Sequence, residues 1–443
     1  MPRNMAAPAP AAPPVPDVAL VSIEMGYGHM RAAKALASHF NTDILHVDRE
    51  PLASTAEAKR WHRSRSFYEK TSRASSLPLV GAPFKALLDS MTHIPPLSPY
   101  RNQSAPNLGT QLLERLVRGG MGKSMSRYLR DSELPLLTTF YAPAIVADRL
   151  GIERVYCVVT DTDIHRIWAS VKPETSAVRY LVPSQQAARR LRAYGVRSDH
   201  IHFTGFPLPP ELIGGVDAPV LKTDLRNRLG RLDRRGTFRR QSGSELTPVL
   251  GELPPETDGP PHLVFAVGGA GAQANMIEQF LPSLRSLISD GMLQVTLVAG
   301  IREEVRAYFE SRLNQLGLSG RVEVLHEPNL DLYFPSFNAL LRRTDILWTK
   351  PSEMTFFGGL GIPLIFSPAV GVHEQYNRRW AVERGAGLEQ HEPRHAGEWL
   401  SELLDEGTLA SAAWNGFKRL PKHGTYRIAE VISGTHLYLE ADL

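Results

Sequence analysis

Residues 18–40 read VALVSIEMGYGHMRAAKALASHF, and this stretch decides the fold. Its first seven residues are mainly apolar, which is typical of a strand buried in a parallel sheet. Gly26 and Gly28 allow a tight turn, and the residues that follow have the pattern of an amphipathic helix. A strand that runs through a glycine turn into a helix predicts the start of a β–α–β unit.

The same order of strand and helix repeats along both halves of the chain. Further strand candidates lie at residues 43–48, 154–161, 178–184, 201–207, 262–269, 293–300, 322–328, 344–350 and 363–368. We therefore predict an α/β protein with two doubly wound, Rossmann-like domains that face a central cleft. Ligands of such sheets bind outside the carboxyl ends of the strands, so we expect the site residues in the turns that follow the strands.

The composition excludes several classes of protein. The chain has 443 residues, 42% of them hydrophobic, so it can bury large cores and is not a disordered protein. The one cysteine, Cys157, excludes a disulfide scaffold and a cysteine-built metal centre. No apolar run approaches the ~20 residues needed to cross a bilayer, and no secretory signal is recognisable, so we expect a cytoplasmic protein.

Two stretches of biased composition suggest the domain organisation. Residues 1–16 are rich in alanine and proline and predict a disordered tail. Residues 216–261 contain several arginines followed by GELPPETDGPP, which predicts a basic, proline-rich linker or loop. The expected domains are then residues 17–215 and 262–443, with a last helix that can cross back to the first domain.

The turn after the first strand contains His29, at the head of a helix and beside the expected cleft. A neutral imidazole can accept a proton from a hydroxyl near pH 7, as a general base does. The alternative is a histidine that only caps the helix. The glycine spacing in this turn is not GxGxxG, so an ordinary dinucleotide site is not supported.

The turn at residues 160–168 combines two carboxylates, a histidine and an aromatic ring. Asp161 or His165 could bind a sugar or acceptor hydroxyl, and Trp168 could stack on a ring or an acyl chain. The two aspartates also spell DTD, a form of the short motif with which some transferases hold a metal–diphosphate. The structural alternative is capping of a helix by Asp161 or Asp163.

Three turns in the second half offer groups that suit a nucleotide sugar. The small-residue turn of Gly268, Gly269, Ala270 and Gly271 can cradle a phosphate with its backbone N–H groups, or can serve the turn alone. The next turn offers a cation, two hydroxyls and a carboxylate: Lys350, Ser352, Thr355 and Glu353. The last offers hydrogen-bonding groups for sugar hydroxyls, or merely begins a surface helix: Glu374, Gln375 and Asn377.

In their order and spacing these turns resemble one family. The stretches that carry the resemblance are GYGHMRAAKAL, TTFYAPAIVADRLG, VVTDTDIHRIW, YLVPSQQAARRL, HFTGFPL, VGGAGAQ, TDILWTKPSEMTFFGGLGIPLIFSP and GVHEQYN. The chain resembles the GT-B glycosyltransferases of family 28, in particular the monogalactosyldiacylglycerol synthase group and, more distantly, the enzymes that add N-acetylglucosamine to the lipid-linked peptidoglycan precursor.

The resemblance implies a GT-B fold and an inverting enzyme that moves a hexose from a nucleotide sugar, expected to be a UDP-hexose, to a lipid hydroxyl such as that of diacylglycerol. It implies no metal and no other required cofactor. It implies His29 as the base, with Asp161 and His165 beside it. The acceptor side would be Gly26, Tyr27, Gly28 and Trp168. The donor side would be Gly205, Gly268, Gly269, Ala270, Gly271, Lys350, Ser352, Glu353, Thr355, Glu374, Gln375 and Asn377.

One departure from the family pattern leaves alternatives open. Where the family has a glutamate for the ribose hydroxyls, this chain has Gly358, and Glu353 is the candidate substitute. A GT-B protein that binds or acts as a scaffold without transfer is therefore one alternative. A nucleotide-sugar epimerase on the same fold is another.

A long insertion at residues 49–130 suggests a contact with membranes. It contains KRWHRSRSFYEKTSR at residues 59–73 and LPLVGAPFKALLDSM at residues 77–91. Basic and aromatic side chains together suit an anionic lipid surface, so we expect peripheral association with the inner face of the cytoplasmic membrane. A solvated helix and an ordinary core segment explain the same residues equally well. No RNA-binding motif is present, so we expect no nucleic-acid partner.

Overall fold

The computed structural model describes residues 15–24, 26–63, 66, 92–253, 259–268, 271 and 273–435. The tail expected at residues 1–16 lies almost wholly outside the described residues, and so does most of the stretch at residues 64–91 of the insertion. Within the described ranges, no helix is both long enough and apolar enough to span a bilayer.

Six parallel strands form the first sheet, in the order β2–β1–β3–β4–β5–β6. The strands are β1 (Ala19–Ser22), β2 (Leu45–His46), β3 (Leu136–Thr138), β4 (Val155–Val158), β5 (Val178–Val182) and β6 (Ile201–Phe203). The helices around them are α1 (Tyr27–Phe40), α2 (Leu108–Arg118), α3 (Lys123–Ser132), α4 (Tyr141–Arg149) and α5 (Gln185–Ala193), and residues 55–63 are also helical. The first sheet with α1–α5 is the N-terminal lobe. Val21 of β1 belongs to the core cluster on one face of this sheet and Leu20 to the cluster on the other, so both faces are covered.

A second sheet of six parallel strands has the order β12–β11–β10–β7–β8–β9. The strands are β7 (His262–Ala266), β8 (Gln294–Gly300), β9 (Glu323–His326), β10 (Ile346–Thr349), β11 (Leu364–Phe366) and β12 (Gly387–Glu389). The later helices are α6 (Pro210–Ile213), α7 (Pro219–Leu232), α8 (Thr237–Leu250), α9 (Ile277–Ser289), α10 (Glu303–Leu316), α11 (Leu330–Arg343), α12 (Val372–Glu383), α13 (Ala396–Asp405), α14 (Thr408–Arg419) and α15 (Gly424–Ser433). The second sheet with α7–α14 is the C-terminal lobe.

The strand orders place one switch point in each sheet. In the first sheet the chain order reverses between β1 and β3, and in the second between β7 and β10. Open α/β sheets bind their ligands at such points, outside the carboxyl ends of the strands. The predicted architecture of two doubly wound halves is confirmed. A ligand site is therefore expected at the turns that follow β1, β3, β7 and β10.

The linker or loop predicted at residues 216–261 is wrong for most of its length. Two helices, α7 and α8, occupy the stretch. Leu221, Leu225 and Leu229 recur at the spacing of one helix face and are buried in the core of the C-terminal lobe. The buried guanidinium of Arg228 donates to the carbonyls of Thr344 and Leu360 in that lobe. Five of the seven arginines in this stretch thus lie on helices, and Arg234 and Arg235 lie in the turn between α7 and α8.

The last helix, α15, packs on the N-terminal lobe rather than on the lobe that precedes it in sequence. Its Ile428 and Ala429 share a buried cluster with Leu20, Leu36 and other apolar residues of β1 and α1. At the start of the helix the backbone of Gly424 passes so close to the first lobe that an added Cβ would lie 2.1 Å from the carbonyl oxygen of Phe206. The chain therefore returns to the N-terminal lobe through a contact that only glycine fits.

We expect Gly424→Ala to lower the free energy of unfolding by at least about 1–3 kcal/mol, because a backbone carbonyl must move to admit the methyl group. Urea unfolding measures this change. The control is Gly243→Ala in α8, where an added Cβ meets nothing within 4 Å. Because alanine is favoured over glycine inside a helix, we expect this control to raise the free energy of unfolding by about 0.5–1 kcal/mol. Equal behaviour of the two variants would contradict the close approach.

Candidate active site between the two lobes

His29 lies at the switch point of the N-terminal lobe. It follows β1 in the first turn of α1, and its Nδ1 is 2.7 Å from the carbonyl oxygen of Thr139, which follows β3. A carbonyl oxygen only accepts hydrogen bonds, so Nδ1 carries the hydrogen and donates it. The other ring nitrogen, Nε2, is then the basic atom of the neutral imidazole. The backbone just after β3 thus fixes the tautomer of this histidine in which Nε2 carries the free lone pair.

The surroundings of His29 keep it neutral. Burial lowers the pKa of His29 below its usual value, and the nearby His373 acts in the same direction. The carboxylates of Asp161 and Glu353 oppose this effect. Asp161 follows β4 of the N-terminal lobe, whereas Glu353 and His373 belong to the C-terminal lobe. Groups from both lobes therefore act on the imidazole, which places it in the cleft.

An aromatic wall lines the N-terminal side of the cleft. The ring of His29 lies 4.9 Å from that of Phe140 and 6.3 Å from that of Trp168, measured between centroids. Tyr141 contacts Trp168 at 5.3 Å and His165 at 6.1 Å. The Nδ1 atom of His165 is buried and has no hydrogen-bond partner among the described residues. This wall offers an apolar surface and one unused polar atom beside His29.

His165 makes stability depend on pH. Burial lowers the pKa of His165 to about 3, and His373 adds to the effect. Between the usual histidine pKa of about 6.5 and this value the unfolded chain binds a proton that the folded chain does not, so the free energy of unfolding falls as the pH falls. We expect His165→Gln to remove a slope of up to about 1.4 kcal/mol per pH unit in this window.

Urea unfolding at several pH values between 3 and 7 tests the role of His165. The exposed histidine variant His62→Gln is the control, and it should keep the wild-type slope. If His165→Gln and wild type lose stability in parallel as the pH falls, His165 is not held neutral by its surroundings.

The two aspartates of the DTD sequence point to different partners. Asp163 is fully buried and forms an ion pair with Arg190, with an Nε–Oδ1 distance of 2.8 Å. Asp161 instead accepts a hydrogen bond of 2.9 Å from the side-chain amide of Asn377. Two carboxylates that diverge in this way do not chelate one cation together. Asp163 stabilises the turn, and Asp161 faces the cleft.

The switch point of the C-terminal lobe joins Gly268 and Lys350. Gly268 follows β7 with a φ of 71°, and an added Cβ there would lie 2.9 Å from Cε of Lys350, which follows β10. The ammonium of Lys350 lies 2.7 Å from Oε1 of Glu374. Burial alone would raise the pKa of Glu374, but this lysine lowers it below the usual value. Of the expected phosphate turn, Gly269 and Ala270 lie outside the described residues, and Gly271 accompanies Gly268 near β7.

The next residues of this loop supply unpaired hydroxyls. Ser352 and Thr355 are at least nine-tenths buried, and neither hydroxyl has a partner among the described residues. Between them, Glu353 lies 3.4 Å from Nε of Arg31, which comes from α1 of the other lobe. Buried hydroxyls are normally hydrogen-bonded, so the hydroxyls of Ser352 and Thr355 keep unused hydrogen-bonding capacity in this loop.

The first glycine turn contacts the C-terminal lobe directly. An added Cβ on Gly28 would lie 3.3 Å from Cβ of Glu353. The hydroxyl of Tyr27 accepts a hydrogen bond of 3.2 Å from the backbone N–H of Ile301, just after β8. Gly26 precedes them with a φ of 97°. The expected acceptor turn and the expected donor loop therefore meet across the cleft.

The three polar residues expected to hold a sugar behave differently from one another. Glu374 pairs with Lys350, and Gln375 is exposed on the first turn of α12. Asn377 is fully buried, and its amide contacts Asp161 and Thr162 of the N-terminal lobe and the carbonyl of Pro351. In this structure Asn377 joins the two lobes to each other.

Two glycines singled out from the sequence pack against protein rather than the cleft. An added Cβ on Gly205 would lie 2.6 Å from Cβ of Pro421, in the segment that leads to α15. An added Cβ on Gly358 would lie 2.8 Å from Leu420 and 3.3 Å from Ala386. Position 358 thus has no room for a ribose-binding side chain, and its glycine is explained by packing.

Comparison with known proteins gives the fold a name. A family model described as "Domain of unknown function (DUF6938)" matches residues 303–433. No curated protein matches the sequence. Among solved structures, MurG from Acinetobacter baumannii is similar over 94% of this chain and 99% of its own, with 12% identity and a TM-score of 0.51. The fold is GT-B.

Other solved structures are similar at a lower score. A putative UDP-N-acetylglucosamine 2-epimerase from Listeria monocytogenes aligns over 96% of this chain and 100% of its own, with 13% identity and a TM-score of 0.49. MnaA from S. aureus, solved with UDP, aligns over 96% and 99%, with 13% identity and a TM-score of 0.48.

Several cleft residues were not foreseen from the sequence. Arg31 lies four residues after Tyr27, so both are on one face of α1, and this spacing is a signal that both reach the other lobe. His373 stands inside the quoted stretch GVHEQYN beside Glu374. Thr139 contributes its backbone carbonyl, a role that any residue type could fill, so no sequence signal marks it.

Proposed function

We propose that this GT-B protein is a glycosyltransferase that moves a hexose from a nucleotide sugar to a lipid hydroxyl with inversion at the anomeric carbon. The observation that carries the proposal is the position of His29. It lies at the switch point of one lobe, and the adjacent Gly28 contacts the loop at residues 350–355 at the switch point of the other. A base on one side of the cleft and a phosphate and hydroxyl loop on the other suit direct transfer.

In the proposed reaction, Nε2 of His29 accepts the proton of the acceptor hydroxyl. The acceptor oxygen forms a bond to the anomeric carbon while the bond from that carbon to the diphosphate oxygen breaks. The electron pair of the broken bond leaves with the nucleoside diphosphate. Because one base serves one direct displacement, the configuration at the anomeric carbon inverts.

The departing diphosphate gains negative charge and needs positive groups close to it. We assign this role to the ammonium of Lys350 and to the backbone turn at Gly268, which lie side by side at the switch point of the C-terminal lobe. The buried hydroxyls of Ser352 and Thr355 would bind the nucleotide, and Glu353 would accept hydrogen bonds from ribose hydroxyls. Lys350 is already paired with Glu374, so the incoming diphosphate competes with Glu374 for this ammonium.

An apolar acceptor is favoured by the N-terminal side of the cleft. The aromatic wall of Phe140, Tyr141 and Trp168 lies directly beside the base. Outside the cleft, Leu108 and Leu112 are exposed one turn apart on α2, and Gly109 of this helix packs against Ile167, the residue before Trp168. Exposed leucines on a helix with arginines in its last turn suit the surface of an anionic membrane.

The test is incubation of the purified protein with radiolabelled UDP-hexoses and vesicles that contain diacylglycerol, followed by analysis of the lipid products. We expect a glycolipid with the anomeric configuration opposite to that of the donor. Calorimetry with UDP measures nucleotide binding separately. If the folded protein does not bind UDP, the proposed transfer from a UDP-hexose is wrong; a changed hexose formed without acceptor would instead show an epimerase.

A further inference from the structure

Asn377 occupies an unusual place in the cleft. It lies on α12 of the C-terminal lobe, and its side chain is fully buried although it is polar. Its Oδ1 accepts hydrogen bonds from both the backbone N–H and the hydroxyl of Thr162, each at 2.9 Å. Its Nδ2 donates to Oδ1 of Asp161 at 2.9 Å and to the carbonyl of Pro351 at 3.2 Å.

These four hydrogen bonds use the full capacity of the side-chain amide. Three of them reach the turn after β4 in the N-terminal lobe, and the fourth reaches the donor loop after β10. The residue before Asp161, Thr160, has its hydroxyl 3.4 Å from Nδ1 of His29. A single buried amide therefore joins the donor loop to the turn that borders the base.

The Asn377 contact breaks whenever the lobes separate. Asp161 would then lose its amide donor, and its carboxylate would be free to turn toward water. The described groups that act electrically on His29 come from three elements: Asp161 after β4, Glu353 after β10 and His373 on α12. Two of these three belong to the C-terminal lobe, and the third is held by it.

We propose that Asn377 is a positioning residue that completes the base only when the lobes are closed. Resting on the function proposed above, this means that the C-terminal lobe holds Asp161 toward His29 through Asn377, and that an open cleft has an incomplete base. The lobes that close over the donor thus position Asp161 beside His29 in the same movement. Hydrolysis of the donor by water entering an open cleft is thereby suppressed.

The distance between the lobes gives the first readout. Spin labels on Ser198→Cys and Ser286→Cys, both exposed and on different lobes, report it, because the native Cys157 is fully buried and does not react. In this doubly labelled protein we expect Asn377→Ala to shift the distance distribution to longer values without any nucleotide. Arg379→Ala, on an exposed part of the same helix, should leave the distribution unchanged.

Kinetics give the second readout. We expect Asn377→Ala to lower kcat at least tenfold while the Kd for UDP changes less than threefold, because Lys350, Ser352 and Thr355 are unchanged and the donor loop loses only the hydrogen bond to the carbonyl of Pro351. In the closed substrate complex His29 is again buried, but Asp161 is no longer held by Asn377 to raise the pKa of His29. The acid limb of kcat, which reports on that complex, should therefore move to lower pH. A residue with a merely structural role would not move this limb.

A swapped pair provides the rescue. In Asp161→Asn with Asn377→Asp, the new amide at position 161 can donate to the new carboxylate at position 377. The new carboxylate at position 377 cannot donate to the carbonyl of Pro351, so we expect the double variant to recover most, but not all, of the wild-type lobe distance. It should not recover the wild-type kcat, because no carboxylate then stands at position 161. The swap also keeps the test valid if the alanine variant folds poorly.

Two results would overturn the inference. One is a wild-type lobe distance in Asn377→Ala, and the other is a loss of kcat with an unchanged acid limb. Failure of the proposed function looks different, because the wild-type protein would then neither bind UDP nor form product. The lobe distance of Asn377→Ala would still decide whether this amide holds the lobes together.

Discussion

Replacement of His29 by asparagine is expected to lower kcat by about 10²–10⁴-fold, the usual contribution of a general base. The asparagine amide can still donate to the carbonyl of Thr139, as Nδ1 of the histidine does at 2.7 Å. Only the proton-accepting nitrogen is lost, so folding should be preserved. Steady-state kinetics with a UDP-hexose and diacylglycerol vesicles measures the change.

The pH profile adds a second measurement on His29. Burial lowers the pKa of this histidine, so the neutral base persists below the usual value of about 6.5, and kcat/KM should fall only at more acidic pH. The exposed His395→Asn serves as the control and should behave as wild type. Turnover of His29→Asn within threefold of wild type would show that another group takes the proton.

Removal of the carboxylate in Asp163→Ala is expected to lower the free energy of unfolding by about 3–5 kcal/mol, because it leaves the fully buried guanidinium of Arg190 without its counter-ion. Asp163 also accepts hydrogen bonds from the backbone of Ile164 and from Gln186. Urea unfolding followed by tryptophan fluorescence measures the effect.

Two further variants separate the buried charge from the loss of a surface contact. Asp199→Ala breaks the exposed pair with Arg197 and should change stability little. Replacing Asp163 and Arg190 together by leucine and methionine removes both charges and should recover much of the loss. A single variant as stable as wild type would mean that Arg190 finds another partner, beyond the side chain of Gln103 that it already contacts.

The sequence was sufficient for the parts of the site that depend on local order. A strand followed by a turn and a helix places the turn at the carboxyl edge of a parallel sheet, whatever the rest of the chain does. His29, Asp161, Gly268 and Lys350 follow such strands, and the structure brings their turns to the two sides of one cleft.

The contacts between the lobes could not be predicted from the sequence. The sequence suggests a sugar-binding role for Asn377 because its turn follows a strand, but its partners in the N-terminal lobe, Asp161 and Thr162, are more than two hundred positions away. Their proximity depends on how two separately folded sheets are oriented. The error at residues 216–261 has a different origin, since the leucine spacing of α7 was visible there and the arginines and glycines obscured it.

The return of the last helix to the first lobe has a consequence for biosynthesis. Val18, Leu20, Leu36 and Phe40 remain without Ile428 and Ala429 until the ribosome has released α15. Between the end of β6 and the start of α15 lie about 220 residues, which take roughly 10–45 s to translate at 5–20 residues per second. During that interval the nascent chain exposes an apolar surface beside strands that have already folded. We therefore expect chaperones at the exit tunnel to bind it.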